Sequence, residues 1–229
     1  MAVFITFEGI EGCGKSTQAR RLARRLEERG VPTLFTIEPG GTRIGGDIRR
    51  ILLDARNWDL SPLAELFLYE ADRAQHIFEV IDPAREAGQW IVCDRFYDAT
   101  TVYQGYARGQ DPLFVASLNR TATRGLTPDI TFLLDCPVGA ALARARQREA
   151  EVNPAGPSGQ DRFEKESEAF HQSVREGYLA LARSEGLGGR FRVLDGMFSI
   201  ERLENEIWSV ILPLLPALPS KKPCLFPTS

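Results

Sequence analysis

Nine consecutive residues, Gly9-Ile10-Glu11-Gly12-Cys13-Gly14-Lys15-Ser16-Thr17, set glycines, a lysine and a hydroxyl at the spacing G-x-x-x-x-G-K-[ST]. The glycines allow backbone N–H groups to turn inward around phosphate oxygens, and a helix opening at Lys15 adds its dipole. Lys15 reaches the β and γ oxygens of a nucleoside triphosphate, and Ser16 offers a hydroxyl to Mg2+. The loop is a candidate site for ATP and Mg2+. Asp94 ends the apolar run Trp90-Ile91-Val92-Cys93 and is a second metal candidate, because the carboxyl ends of strands in open α/β sheets face the ligand. An aspartate that merely caps the strand exit has the same pattern. Cys13 lies near a helix N-terminus, a position that lowers a thiol pKa; the alternative is a residue that fills a small slot.

Transfer of a phosphoryl group needs positive charge beyond Lys15 and Mg2+, and the loop itself contains no arginine. Arg95, beside Asp94, is one source. Arg144, Arg146 and Arg148 precede a Pro/Gly-rich stretch from Val152 to Gln160, and Arg162 follows it. The arrangement predicts a lid over about 144–164 that brings Arg148 and Arg162 to the site and excludes water on closure. A solvated basic helix face joined to an ordinary surface loop reads the same way.

These residues need a scaffold, and the sequence alternates short apolar runs with helical periodicity. Strands are expected from Val3 to Phe7, Thr33 to Ile37, Trp90 to Cys93, Ile130 to Asp135 and Phe191 to Leu194. Helices are expected from Lys15 to Arg29, Ile44 to Leu53, Leu63 to Ala87, Leu113 to Arg124, Val138 to Glu149, Glu164 to Ser184 and Ile200 to Leu212. The alternation predicts an α/β fold of the P-loop NTPase type, a five-stranded parallel sheet flanked by helices in three layers, with a helical lid. A single domain over 1–213 and a C-terminal tail over 214–229 without a role are expected.

With 28 Lys plus Arg against 31 Asp plus Glu, no long-range positive field exists to gather nucleic acid, so phosphate chemistry must be local. Four cysteines without C-x-x-C spacing fit a reducing cytoplasm. No leader is expected from Val3-Phe4-Ile5-Thr6-Phe7, and Trp208 to Leu218 is short of the ~20 apolar residues a membrane span requires. A signalling GTPase is disfavoured by the lack of an Asn-Lys-x-Asp reader and a D-x-x-G switch.

Five segments together resemble the bacterial thymidylate kinases: Phe7-Glu8-Gly9-Ile10-Glu11-Gly12, Glu38-Pro39-Gly40-Gly41-Thr42, Tyr69-Glu70-Ala71-Asp72-Arg73, Asp94-Arg95-Phe96 through Tyr103-Gln104, and Asp161-Arg162-Phe163-Glu164. The resemblance implies transfer of the γ-phosphoryl of ATP to dTMP in a homodimer. It implies that Tyr69 stacks on thymine and that Arg73, one helical turn on, donates to a base carbonyl. By the same resemblance Thr100 and Gln104 contact the base or acceptor, Tyr103 packs where a ribose 2′-OH would sit, Glu11 accepts from the 3′-OH, and Arg95 with Arg49 grips the acceptor phosphate. The residues alone leave Tyr69 open to a core role and Arg73 to a surface pairing. Two positions depart from the family pattern. Ile37 stands where an arginine usually precedes Glu-Pro-Gly-Gly, and Ala99 where a serine follows Asp-Arg, which predicts weaker discrimination of thymine from uracil. A kinase for another nucleotide or deoxynucleoside, and a regulatory module that binds ATP without transferring phosphate, are the alternative functions.

Overall fold

In a computed structural model, residues 2–152, 162–163, 166–186 and 188–215 are described. The Pro/Gly-rich tip expected at the lid, from 153 on, and the tail beyond 215 lie outside the described residues. Five strands, β1 (Phe4–Glu8), β2 (Thr33–Ile37), β3 (Trp90–Asp94), β4 (Ile130–Asp135) and β5 (Phe191–Asp195), form one parallel sheet in the order β2-β3-β1-β4-β5. Every residue of β1 and β3 is buried, as expected of central strands covered on both faces. The strand boundaries fall within one residue of those the apolar runs predict.

α1 (Lys15–Glu28) turns Ala19, Leu22, Ala23 and Leu26 onto the sheet, and Gly30, at φ 74°, follows its end. α2 (Arg43–Leu53) is capped by the Thr42 hydroxyl, which accepts from the Gly45 N–H, and α3 (Pro62–His76) by Ser61, with proline in its first turn. The single helix expected from Leu63 to Ala87 is instead α3, a π-helical turn (Ile77–Ile81) and the short α4 (Asp82–Glu86). Pro83 explains the break: it lacks an N–H, and its ring crowds the carbonyl four residues back, which a wider turn relieves.

Periodicity assigns no element to the segment after β3. It forms α5 (Tyr97–Thr100) and a seven-residue π-helical turn (Thr101–Ala107) that buries Val102, Tyr103 and Gln104. Beyond it lie α6 (Pro112–Ala122), α7 (Val138–Val152), α8 (Glu168–Ser184) and α9 (Ile200–Ile211). The main core joins Phe7, Val92 and Phe132 of the sheet to Leu22 and Leu26 of α1, Val174 and Tyr178 of α8, and Ile207 and Trp208 of α9. No described helix is long and apolar enough to cross a membrane.

Candidate active site

The chemistry collects where β1 and β3 end side by side. Phe7 pairs with Asp94, which brings the loop after β1 and the carboxylate ending β3 to one edge of the sheet. A cavity of about 450 Å3 opens there, the size of a small-molecule site. Its floor is Glu11, Gly12, Lys15 and Ser16 of the glycine loop. Gly14 caps α1 in the left-handed conformation, φ 101°, and the first turn of α1 carries no acidic side chain, so nothing in that turn opposes an anion. Gly12 is required by packing as well: a Cβ there would lie 1.9 Å from the Ala141 carbonyl oxygen of α7. Lys15 Nζ donates to the Ile10 carbonyl across the loop at 3.2 Å.

Asp94 also lines the cavity, and its Oδ1 is buried with no hydrogen-bond partner among the described residues. A buried carboxylate oxygen left unsatisfied is costly, and a hydrated cation would satisfy it. Ser16 lines the same cavity, so the two residues proposed for Mg2+ fit that ion's preference for few protein ligands and several waters.

Arg95 follows Asp94 and lies in the left-handed region, φ 71°. Its Nη2 donates to Glu11 Oε1 at 2.8 Å and to the Tyr103 hydroxyl at 3.2 Å, and its Nη1 to the Tyr178 hydroxyl at 3.1 Å. Among the described residues three of its five donors are used, which leaves two N–H groups for a ligand. Tyr103 in turn donates to Glu11 at 2.7 Å. Burial alone would raise the Glu11 carboxyl, but Arg95, with His171, Lys15 and Tyr103, holds it well below the ordinary carboxylate range. Glu11 is thus an acceptor anchored on two sides. Arg49 lines the cavity and donates to the Pro39 carbonyl at 2.7 Å.

Tyr69, Thr100 and Ala99 line the cavity together with Ile37, and so does Arg148 from α7. Arg73 reaches it too, but its guanidinium is largely committed. Nε donates to Glu38 at 2.9 Å, Nη1 to Asn119 at 3.2 Å and Nη2 to Thr100 Oγ1 at 2.9 Å, while Glu70 lies 2.9 Å from Nη1. The surface pairing left open for Arg73 is therefore replaced by a buried one, and little of its donor set is left for a ligand.

Gln104 and Arg162 are not brought to the cavity. Both donate to Glu65, which is 1% exposed, and Arg162 Nε also donates to the Leu52 carbonyl at 2.7 Å. A buried carboxylate must be paired, and Glu65 takes the nearest donors. Cys13 points into the core at 1% exposure, and burial pushes its thiol up, not down, so it fills a slot. Ile10 is likewise a core residue that contributes its backbone, and Thr17 is exposed on α1. Sequence reasoning assigned no role to Phe163, whose ring meets Tyr103 edge-on at 5.6 Å and walls the cavity. It also missed Phe96 and Glu38, both within quoted segments.

Beneath this layer, Glu8 accepts from the Phe96 N–H at 2.7 Å and from the Tyr178 hydroxyl at 2.7 Å. Burial, joined by the Asp98 charge, pushes its carboxyl from 4.5 up to about 8. Between those values the unfolded chain has released this proton and the folded chain has not, so Glu8 lowers stability as pH rises through that window. Glu8→Gln is expected to show a shallower fall of Tm across the window than the parent; parallel melting curves would refute the assignment.

A glycine loop on a helix N-terminus, an unsatisfied carboxylate beside it and arginines across one cavity define a P-loop nucleotide phosphotransferase. The thymidylate kinase family model matches residues 7–207. The chain belongs to the thymidylate kinase family, whose function is phosphoryl transfer to dTMP. It is 49% identical to the thymidylate kinase of Geotalea uraniireducens over 94% of this chain and 99% of that one. It is 55% identical to that of Desulfosudis oleivorans over 85% and 89% of the two chains. A crystal structure of thymidylate kinase from Ehrlichia chaffeensis superposes with a TM-score of 0.71 at 31% identity, covering 92% of this chain and 98% of that one. The chain is accordingly an ATP-dependent nucleoside monophosphate kinase.

Proposed function

We propose that this chain moves the γ-phosphoryl of ATP onto dTMP, giving dTDP and ADP, with the residues of this cavity divided into a donor half and an acceptor half. The observation that carries the division is the opening of the Lys15–Ser16 loop and of Arg49 and Arg95 onto the same space. In the donor half, backbone N–H groups of the glycine loop hold the triphosphate and Lys15 meets its β and γ oxygens. Ser16 and Asp94 hold Mg2+, which when bound neutralises charge on the transferring group. In the acceptor half, Arg95 and Arg49 fix the dTMP phosphate, Glu11 takes the 3′-OH, and Tyr103 occupies the space of a ribose 2′-OH. Tyr69 stacks on the base, with Arg73 and Thr100 beside it.

No general base of unusual pKa is needed, because the attacking phosphate oxygen is already anionic. Orientation in line and neutralisation of the equatorial oxygens by Lys15, Arg95 and Arg148 lower the barrier. ADP release is the test: with ATP and Mg2+, dTMP is expected to be preferred over dCMP, dGMP, AMP and thymidine, with dUMP next because Ala99 offers no hydroxyl. Preference for another acceptor overturns the acceptor half alone, and acceptor-independent behaviour favours a binding module. Asp94→Asn is expected to raise the Mg2+ concentration for half-maximal rate roughly tenfold or more; an unchanged Mg2+ curve would remove Asp94 from the metal site.

Pairing of two copies accompanies this reading. Exposed Ile51 of α2, Phe67 and Leu63 of α3 and Leu113 of α6 support a homodimer through these helices. Sedimentation of the parent as a monomer would reject it. Cytoplasmic residence follows from the supply of ATP and dTMP.

A further inference from the structure

Arg95 is placed oddly for a residue with so much to do. A non-glycine residue rarely adopts φ 71°, and a long side chain that points into a cavity is otherwise free to choose among many rotamers. Both freedoms are removed from below by the same two residues. Glu8, fully buried at the end of β1, uses Oε1 to accept the N–H of Phe96, the residue just past the left-handed turn, at 2.7 Å. Its Oε2 accepts the Tyr178 hydroxyl at 2.7 Å, and that hydroxyl oxygen accepts Arg95 Nη1 at 3.1 Å. The contacts close a ring from Glu8 through the backbone of Phe96 and Arg95, out along the Arg95 side chain, and back through Tyr178.

Tyr178 reaches this point because α8 lies close to the π-helical turn. A Cβ on Gly177 would sit 2.9 Å from Val102 Cγ1 and 3.0 Å from Tyr106 Cβ, so the glycine permits an approach that a larger residue would block. The Tyr178 ring is 1% exposed and stands edge-on to Tyr103 at 6.4 Å, packed in the core beside it. On the opposite side of Arg95, Glu11 and Tyr103 take Nη2. The guanidinium plane is thereby fixed at both ends, with Nε–H and one Nη1–H uncommitted among the described residues.

We propose that Tyr178, held by Glu8, is the positioning residue for Arg95, setting the orientation in which its free N–H groups meet the acceptor phosphate. The inference rests on the reading of Arg95 as the phosphate ligand. Neither Tyr178 nor Glu8 is among the residues that line the cavity.

Steady-state kinetics on the intact enzyme with ATP and Mg2+ in excess test it. Tyr178→Phe keeps the ring and removes the hydroxyl. It is expected to lower kcat/KM for dTMP roughly tenfold, the scale on which small misplacement of a catalytic group acts, while KM for ATP stays at the parental value. In an Arg95→Lys background the same change is expected to cost much less, since the group it orients is gone. Where Tyr178→Phe yields too little folded protein, Glu8→Gln is compared with Glu8→Met. The amide can accept from Phe96 and donate to the Tyr178 oxygen, so it is expected to retain more dTMP efficiency than the thioether at matched fractions folded. A folded Tyr178→Phe with parental dTMP kinetics, or one whose effect multiplies undiminished with Arg95→Lys, overturns the proposal. If Arg95→Lys is itself silent, the phosphate role of Arg95 falls and the positioning role with it; if Arg95→Lys is costly and Tyr178→Phe silent, only the positioning role falls.

Discussion

Lys15→Ala is expected to reduce kcat/KM by roughly 10^3-fold or more while leaving the thermal transition close to that of the parent. The asymmetry comes from what the ammonium does in each state. In the folded chain its hydrogen bond is to the Ile10 carbonyl at 3.2 Å, inside a loop whose turns the glycines already permit. A charge-assisted bond of that kind contributes about 1.5–3 kcal/mol, largely offset by the desolvation of a lysine that is 8% exposed. On the proposed reading, in the reaction the same charge lies against oxygens that gain charge as the phosphoryl group leaves ADP, where one preorganised donor counts for several times as much. Single-turnover ADP formation alongside calorimetry checks both halves. Retained turnover in a folded variant would reject the loop as the donor site.

Arg95→Ala is expected to lose roughly 10^2- to 10^3-fold in kcat/KM for dTMP, and in contrast to Lys15→Ala it is expected to melt earlier. Removing the guanidinium leaves Glu11, whose charge it holds in place, without its ion-pair partner at 2.8 Å. Stripping one member from a buried pair costs about 3–5 kcal/mol, less here because Glu11 keeps Tyr103 and is 17% exposed at its side chain. Alanine also inherits the left-handed backbone that arginine now occupies. Arg95→Lys separates the effects: it keeps a positive charge near Glu11 but has neither the planar fork nor the reach to bridge Glu11, Tyr103 and Tyr178 at once. It is expected to recover most of the Tm and little of the dTMP efficiency. Equal loss in KM for ATP and for dTMP would place Arg95 in the donor half instead.

Two clusters show why residue types at the right spacing did not suffice to assign roles. Tyr69 and Arg73 lie one helical turn apart on α3, and both do reach the cavity. Yet Arg73 is also the centre of a buried group with Glu38, Glu70, Asn119 and Thr100, which no local pattern reveals because its members come from β2's exit, α3, α5 and α6. Gln104 and Arg162 sat in segments that carry the family resemblance. Both turn to Glu65, a buried acid on α3 whose demand for donors is visible only when its burial is known.

The phosphate loop, the strands within a residue or so, and the class of reaction were legible in the order of residues alone. Those features are local: the loop is nine contiguous residues, and a buried parallel strand is a short apolar run whose ends are marked by glycine or aspartate. Pro83 carried a legible warning that the helix from Leu63 would not run unbroken, and the π-helical turn answers it. Which polar side chains face the cavity emerged from the folded arrangement. That choice follows from long-range competition, in which buried carboxylates take donors that would otherwise be left for a substrate. Glu8, Glu11, Glu38 and Glu65 resolve it through partners as far away as Tyr178 and Arg162.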